Sequence, residues 1–175
     1  MSQRLILASL SLAVAALGVA LTVSLPSCVI YNPSVSVPQG WYALAEADRL
    51  QVGEHVLVRL PSAAAELAAQ RRYLPMNTPL LKRIAATAPQ QVCVRAGRVL
   101  IDGRLTAVQR AADTQGRLLP HWQECRRLRA DELFLLSETS DASFDSRYFG
   151  PITVDRVIGR ARALWTWAQP GGEPL

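Results

Sequence analysis

The apolar positions of this chain form one continuous run near the amino terminus and shorter alternating segments after it. Residues 5–23 are all apolar or small, and the run extends to Leu25. This length is close to the roughly 20 residues that a membrane-spanning helix needs. Pro26 cannot continue a helix, because its nitrogen carries no hydrogen-bond donor. The pattern predicts a cytoplasmic start and transmembrane anchor over residues 1–25, then an extended segment from Pro26 to Tyr42.

The distribution of charge predicts the orientation of this anchor. Arg4 precedes the apolar run, and no Asp, Glu, Lys or Arg follows until Glu46. The positive-inside rule therefore places the amino terminus in the cytoplasm and the rest of the chain in the periplasm, as a single-pass protein of the inner membrane. Two alternatives stay open: a cleaved secretory signal peptide with processing at residues 18–20, and lipidation at Cys28.

Beyond the anchor, alternation of apolar and polar positions predicts a small, mainly antiparallel β domain over residues 26–168. Ser62 followed by strong helix formers predicts one inserted helix over residues 62–72. Residues 169–175 are predicted to be a flexible tail. The predicted strands, separated by turn signals such as Gly and Pro, are residues 50–60, 80–86, 91–95, 99–102, 104–108, 133–137, 154–161 and 164–167.

Two tryptophans near the end of the domain alternate with a polar residue. Trp165 and Trp167 flank Thr166, so an extended backbone places both indoles on one face. Indoles gathered on one face are typical of docking at a membrane interface. Packing in the core of the domain is the alternative.

Length and charge limit the classes of function. A chain of 175 residues supports one ordinary domain and an anchor. The formal net charge of +5 fits a domain that lies on an anionic bilayer. Nucleic-acid binding is the alternative, but the arginines are spread along the chain without a recognised binding motif. We therefore predict no nucleic-acid partner.

The cysteines and histidines favour a disulfide over a metal site. Of three cysteines, two lie in the domain, so Cys93 and Cys125 can form one disulfide. An oxidising compartment favours that bond, and two buried thiols are the alternative. There is no C-x-x-C pair, and His55 and His121 stand alone. The sequence predicts neither a metal site nor a cofactor.

The uncharged stretch after the anchor holds a candidate nucleophile. Ser34 and Ser36 precede Pro38, and an extended backbone would place both hydroxyls on one side. No charged residue lies nearby, so the base that activates Ser36 must come from elsewhere in the fold. Lys82 is flanked by apolar residues, and burial would lower its pKa until a neutral amine could take the serine proton.

Two alternatives to this pair are open. Ser34 and Ser36 could be ordinary polar strand positions. His55 could act as the base of a Ser/His/Asp triad, with Asp48 or Asp145 to orient it.

Three blocks of sequence carry a resemblance to a known family. They are residues 32–42, with the pattern N-x-S-x-S-x-P-x-G-x-Y, residues 80–86, with L-L-K-R-I-A-A, and residues 143–151, which begin S-x-D-S-R-Y-x-G. With these blocks and its anchor, the chain resembles the membrane-anchored signal peptidases that use a Ser/Lys dyad. Within that family it is most similar to the conjugative-transfer (TraF-type) branch.

The resemblance implies a role for each matching residue. Ser36 would be the nucleophile and Lys82 the general base. The Ser34 hydroxyl and the backbone N–H of Ser36 would form the oxyanion hole. The floor of the site around the lysine would be ordered by Ser143, Asp145 and Arg147.

The function implied by the resemblance is that of a serine endopeptidase that cleaves a pilin precursor beside small side chains. Water, or the substrate's own amino end, would resolve the acyl-enzyme, and the second route gives a circular pilin. The expected partners are the pilin or another preprotein, inner-membrane lipid and a conjugative transfer apparatus. A general leader peptidase of the secretory pathway and a non-catalytic scaffold subunit of a transfer pore are the alternatives.

Overall fold

Two antiparallel β-sheets carry most of the regular structure in residues 28–167, which are the part of the chain described by this computed structural model. This mainly antiparallel architecture with few helices agrees with the sequence prediction. The predicted anchor over residues 1–25 and the predicted tail over residues 169–175 lie outside the described residues. Within residues 28–167, no helix has the length and apolar character needed to cross a bilayer.

The larger sheet has seven strands in the order β1-β2-β11-β3-β4-β9-β10, and the smaller has four in the order β7-β6-β5-β8. The strands are β1 (Cys28–Asn32), β2 (Gly40–Ala45), β3 (His55–Val58), β4 (Leu80–Thr87), β5 (Gln91–Arg95), β6 (Arg98–Ile101), β7 (Arg104–Val108), β8 (Cys125–Arg127), β9 (Glu132–Leu136), β10 (Ile152–Thr153) and β11 (Val157–Thr166). The helices are α1 (Ser62–Gln70), α2 (Ser146–Phe149) and a 3₁₀ turn (Val154–Arg156).

Strand β9 joins the hydrophobic interiors of the two sheets. All five of its residues are buried, and its four apolar residues pack against two different clusters, one on each face. Leu133 and Leu135 belong to the core of the larger sheet. Phe134 and Leu136 pack against the valines of β5 and β6 in the smaller sheet. Because successive side chains of a strand point to opposite faces, β9 contributes to the cores of both sheets and connects them.

The segment between Pro26 and Tyr42 is not continuously extended, so that prediction is wrong. Strands β1 and β2 pair antiparallel, with Asn32 opposite Gly40, and the chain reverses between them. Gly40 has a φ of +150°, and an added Cβ would lie 2.1 Å from the carbonyl oxygen of Trp165 on β11. Only glycine fits this close approach of two backbones. We call residues 33–39 the serine turn.

The carboxyl-terminal strands differ from the prediction in one respect. The two predicted segments form one strand, β11, preceded by the 3₁₀ turn and interrupted by a bulge between Ala163 and Trp165. Trp165 is 70% exposed and Trp167 is 48% exposed. Neither indole is packed in the core. The Tyr31 ring on β1 lies 5.2 Å from the Trp41 ring and 6.0 Å from the Trp167 ring, so the aromatic residues form one exposed group.

The smaller sheet contains the expected meander of β5, β6 and β7. Its two turns end in Gly97 and Gly103, both with positive φ, as short hairpin turns require. Cys93 on β5 and Cys125 on β8 are directly paired in the sheet and are joined by a disulfide. This bond ties β8 to the meander across 32 residues of sequence.

Candidate active site

The serine turn is held by hydrogen bonds that come from distant parts of the chain. The Ser36 carbonyl accepts from the Glu138 backbone N–H and from the Ser137 hydroxyl, each at 2.8 Å. The Tyr42 hydroxyl donates to the Pro38 carbonyl at 2.6 Å. Burial, with a smaller contribution from the Glu138 charge, raises the pKa of Tyr42 to about 12, so this hydroxyl stays protonated. The backbone on both sides of Ser36 is therefore fixed.

The Ser36 hydroxyl lies beside the lysine strand. Ser36 is 7% exposed. Its Oγ is 2.8 Å from Ser34 Oγ and 3.4 Å from the carbonyl oxygen of Leu81, the residue before Lys82. No described residue accepts a hydrogen bond from the Ser36 backbone N–H. The turn thus presents two hydroxyls and one unpaired backbone donor at β4.

Lys82 lies on β4 in the middle of the larger sheet, opposite Val56 of β3. It is 2% exposed, and its Nζ donates a hydrogen bond to Ser143 Oγ. Burial lowers the pKa of Lys82 from 10.5 to about 8, since an ammonium group is poorly solvated there. The negative charge of Asp145 opposes this shift, and the positive charge of Arg147 adds to it.

Ser36 and Lys82 line the same cavity, which has a volume of about 610 Å³. Ser34 and Ser143 also line it. Lys82 Nζ is hydrogen-bonded to Ser143, whereas the partners of Ser36 Oγ are Ser34 Oγ and the Leu81 carbonyl. The rest of the wall is largely apolar and includes Ile30, Val35, Leu57, Leu80, Leu81 and Phe144. Such a concave, largely apolar site can bury an apolar ligand.

Asp145 and Arg147 form a buried, bidentate ion pair beneath Ser143. Arg147 Nε and Nη2 donate to the two Asp145 oxygens, both at 2.8 Å. Asp145 is 0% exposed and Arg147 is 1% exposed. Hydrogen bonds and the Asp145 charge outweigh desolvation and raise the pKa of Arg147, so the guanidinium stays charged. Arg147 also donates to the Ser143 carbonyl at 3.3 Å, so the pair orders the segment that contacts Lys82.

The pair is formed at the start of a short helix. Asp145 is the N-cap of α2, where its side chain accepts from the Arg147 backbone N–H. Its other oxygen accepts from the Ser137 backbone N–H at 2.9 Å. The two charges therefore meet within a capped helical turn, and both side chains are buried.

The alternative triad is not formed in the structure. His55 Nε2 lies 2.7 Å from Glu138 Oε2, and His55 does not line the cavity. Asp145 is bound to Arg147 and cannot orient His55. Within residues 28–167, no group of three or more His, Cys, Asp or Glu side chains is arranged to hold a metal ion.

Sequence reasoning missed two features of the site. Lys82 is the single lysine among the 19 Lys and Arg residues of the chain. A single lysine in a chain that otherwise uses arginine indicates a position that requires an amine able to lose its proton, which a guanidinium does not do. Asn32, 5% exposed at the end of β1, hydrogen-bonds the serine turn repeatedly, although sequence reasoning gave it no role. Its place in the first sequence block was the available signal.

Comparison with known proteins extends over most of the chain. The family model described as signal peptidase, peptidase S26, matches residues 2–167. A plasmid transfer protein TraF of Escherichia coli is 30% identical over 146 residues, which cover 78% of this chain and 82% of that protein. A conjugal transfer protein TraF of Agrobacterium fabrum is 30% identical over 177 residues, which cover 95% of this chain and 99% of the relative.

A solved structure is also similar. The crystal structure of a signal peptidase I from Enterococcus faecalis covers 65% of this chain and 97% of its own, with 14% identity and a TM-score of 0.39. The family model, which matches nearly the whole chain, and the curated relatives agree with the resemblance carried by the three sequence blocks. The chain belongs to the signal peptidase family, peptidase S26.

Proposed function

We propose that this protein is a membrane-anchored serine peptidase that cleaves a pilin precursor for conjugative transfer, with Ser36 as nucleophile and Lys82 as general base. The observation that carries the proposal is the shared cavity, in which a nearly buried serine hydroxyl and a lysine with a lowered pKa face the same apolar space. A desolvated amine near neutrality suits proton transfer from serine.

The first half of the proposed reaction breaks the peptide bond. The Lys82 amine leaves Ser143, takes the Ser36 proton, and Ser36 Oγ adds to the substrate carbonyl. The Ser34 hydroxyl and the Ser36 N–H stabilise the oxyanion. The Lys82 ammonium then gives its proton to the leaving amine, and an ester on Ser36 remains.

The second half of the reaction restores the enzyme. Water, or the amino end of the substrate, attacks the ester, and Lys82 takes the proton of the attacking group. The bond to Ser36 Oγ breaks, and the proton returns from Lys82 to Ser36. Water gives a linear pilin, whereas the amine gives a circular one.

The proposed base predicts a pH profile. Only neutral Lys82 can accept a proton, and its pKa is about 8. The rate of cleavage should rise about tenfold per pH unit below that value and level off above it.

The substrate and location are inferred from the relatives and from the exposed aromatic group. The TraF relatives are named for plasmid or conjugal transfer, which supports a pilin precursor as substrate and a transfer apparatus as partner. Tyr31 and Trp41 are exposed on β1 and β2, the first strands after the predicted anchor. Trp165 and Trp167 are exposed at and just after the end of β11, which pairs with β2. This exposed aromatic group supports contact with inner-membrane lipid. The Cys93–Cys125 disulfide supports a periplasmic domain.

The proposal is tested by co-expression of the full chain with the candidate pilin precursor and measurement of the intact pilin mass. Wild type should give a truncated pilin and Ser36→Ala an uncut one, and a further loss of one water would show that the ends are joined. Lys82→Arg is a matched control, because a guanidinium stays protonated and cannot act as the base. Processing by Lys82→Arg at the wild-type rate would refute the dyad.

Unchanged pilin in every culture would refute the pilin assignment. A panel of secreted preproteins then separates the alternatives. Cleavage of many of them would identify a general leader peptidase. If none is cut and Ser36→Ala still supports transfer, the protein is a scaffold subunit.

A further inference from the structure

A single side chain connects both ends of the serine turn. Asn32 Nδ2 lies within hydrogen-bond distance of the carbonyls of Ser34 at 2.9 Å, Val37 at 3.3 Å and Pro38 at 3.2 Å. Since the amide nitrogen carries two protons, two of these carbonyls share one of them. Asn32 Oδ1 accepts from the Ser34 backbone N–H at 3.1 Å and from the Ser34 hydroxyl at 2.9 Å. These five contacts join Asn32 to Ser34, which precedes Ser36, and to Val37 and Pro38, which follow it.

The surroundings of the amide fix which end is nitrogen. Three carbonyl oxygens surround Nδ2, and an oxygen in that place would face three acceptors without a donor. Oδ1 must therefore face Ser34, and both Ser34 groups must donate to it.

This orientation sets the direction of the hydrogen bond between the two serines. The Ser34 hydroxyl has one proton, and that proton is donated to Asn32 Oδ1. The 2.8 Å contact between Ser34 Oγ and Ser36 Oγ then requires Ser36 to be the donor, and the Leu81 carbonyl, at 3.4 Å, is a longer and weaker second acceptor for the same proton. The chain of donors runs from Ser36 to Ser34 to Asn32.

We propose that Asn32 is a positioning residue for the reaction, which holds the nucleophile and the oxyanion donor in one turn and sets the order of their protons. The inference rests on the proposed function. At rest, the Ser36 proton points to Ser34. During the reaction, that proton passes to Lys82, and Ser34 turns its own proton from Asn32 to the oxyanion. The Ser34 N–H stays on Asn32 throughout, so the backbone does not move.

The turn contains a matched control for this role. Gln39 also bridges the turn, through a hydrogen bond from Nε2 to the Pro33 carbonyl on the exposed side. The Gln39 side chain forms no hydrogen bond with Ser34 or Ser36. Gln39→Ala therefore removes a hydrogen bond across the turn without changing the order of donors.

The test measures kcat and KM of the full chain on the pilin precursor for wild type, Asn32→Ala, Ser34→Ala, the double variant and Gln39→Ala. Asn32→Ala should lower kcat by about 100-fold with KM within about threefold, because the lost interaction acts in the transition state. Gln39→Ala should stay within about threefold of wild type. Since Asn32 and Ser34 act together, the double variant should lie within about tenfold of the slower single variant.

Independent readouts separate the possible failures. A wild type that does not cut the precursor refutes the proposed function, whereas equal kcat for wild type and Asn32→Ala refutes this inference alone. The inference is also refuted if the fold-decrease in kcat of the double variant equals the product of the fold-decreases of the two single variants. If Asn32→Ala does not fold, Asn32→Asp keeps the shape but loses the hydrogen bonds that Nδ2 donates. More than about a third of the wild-type kcat in that variant would refute the positioning role.

Discussion

Replacement of Lys82 by methionine removes a buried cation and keeps an unbranched side chain in the same space. The folded state lowers the pKa of this lysine from 10.5 to about 8. At about 1.4 kcal/mol per pKa unit, the charged amine destabilises the folded state by about 3 kcal/mol. Below pH 8, Lys82→Met should therefore be more stable than wild type by up to this amount, less the hydrogen bond to Ser143.

The sign of the pH dependence follows from proton linkage. Between about pH 8 and pH 10.5, Lys82 binds a proton in the unfolded chain but not in the folded one. Wild-type stability must then rise with pH relative to Lys82→Met, by about 3 kcal/mol over that window. The Ser143 hydroxyl does not titrate in this range, and any change in its hydrogen bond with the lysine is already contained in the folded-state pKa of Lys82.

Urea unfolding of the full chain in detergent, at pH 7 and near pH 10.5, measures this change. Both proteins carry Cys28→Ser, which removes the free thiol that could exchange with the disulfide at high pH. A difference between wild type and Lys82→Met that does not depend on pH would refute the buried, neutralised lysine.

The single lysine allows a direct check of the same quantity. Incorporation of [ε-¹³C]lysine gives one side-chain signal from Lys82, because the chain contains no other lysine. Its chemical shift should titrate with a midpoint near pH 8. A midpoint of 10 or above would show that the amine is solvated and is no candidate base near neutral pH.

Three further predictions concern the supports of the site. Arg147→Met leaves the carboxylate of Asp145 buried and unpaired, and should lower the free energy of unfolding by about 3–5 kcal/mol. Gly40→Ala drives a Cβ against the Trp165 carbonyl, and should lower the free energy of unfolding by more than about 2 kcal/mol, measured by urea unfolding. Thiol titration of the folded, unreduced protein should find one free thiol, at Cys28.

Each of these predictions has a control and a contrary outcome. Arg160→Met breaks a partly exposed pair with Glu54 and should cost less than about 1 kcal/mol, so equal losses at Arg147 and Arg160 would contradict the buried pair. Gly116 also has positive φ but has open space around it, so alanine there should cost about 1 kcal/mol. Equal losses at Gly40 and Gly116 would remove the steric explanation. Three free thiols would contradict the disulfide.

Much of the fold could be predicted from local sequence, because its determinants lie close together along the chain. The meander of β5, β6 and β7 depends on short turns that end in glycine, and these turns are visible in the sequence. Helix α1 follows Pro61 and consists of strong helix formers, although it ends at Gln70, two residues before the predicted end. Ser36 and Lys82 were predicted from their uncharged or apolar local settings, together with the sequence blocks that resemble the signal peptidases.

The serine turn could not be predicted in the same way. The sequence analysis predicted that residues 26–42 are extended. The Asn32-Pro33 pair, where the serine turn begins, is however a turn signal. The reversal is held by Asn32 and by contacts to β11 and to the segment after β9, all of which require the folded sheet. A local pattern gives no information about such partners.

The sequence by itself determined which residue types are available for chemistry: two serines in an uncharged stretch, one lysine between apolar neighbours, and an Asp and an Arg two positions apart. Only the tertiary structure decided their environment. The Lys82 amine meets Ser143 across 61 residues, and the Ser36 hydroxyl meets the Leu81 carbonyl across 45 residues. The pKa of Lys82 depends on removal of water by these distant segments, and desolvation is a property of the assembled core rather than of any stretch of sequence.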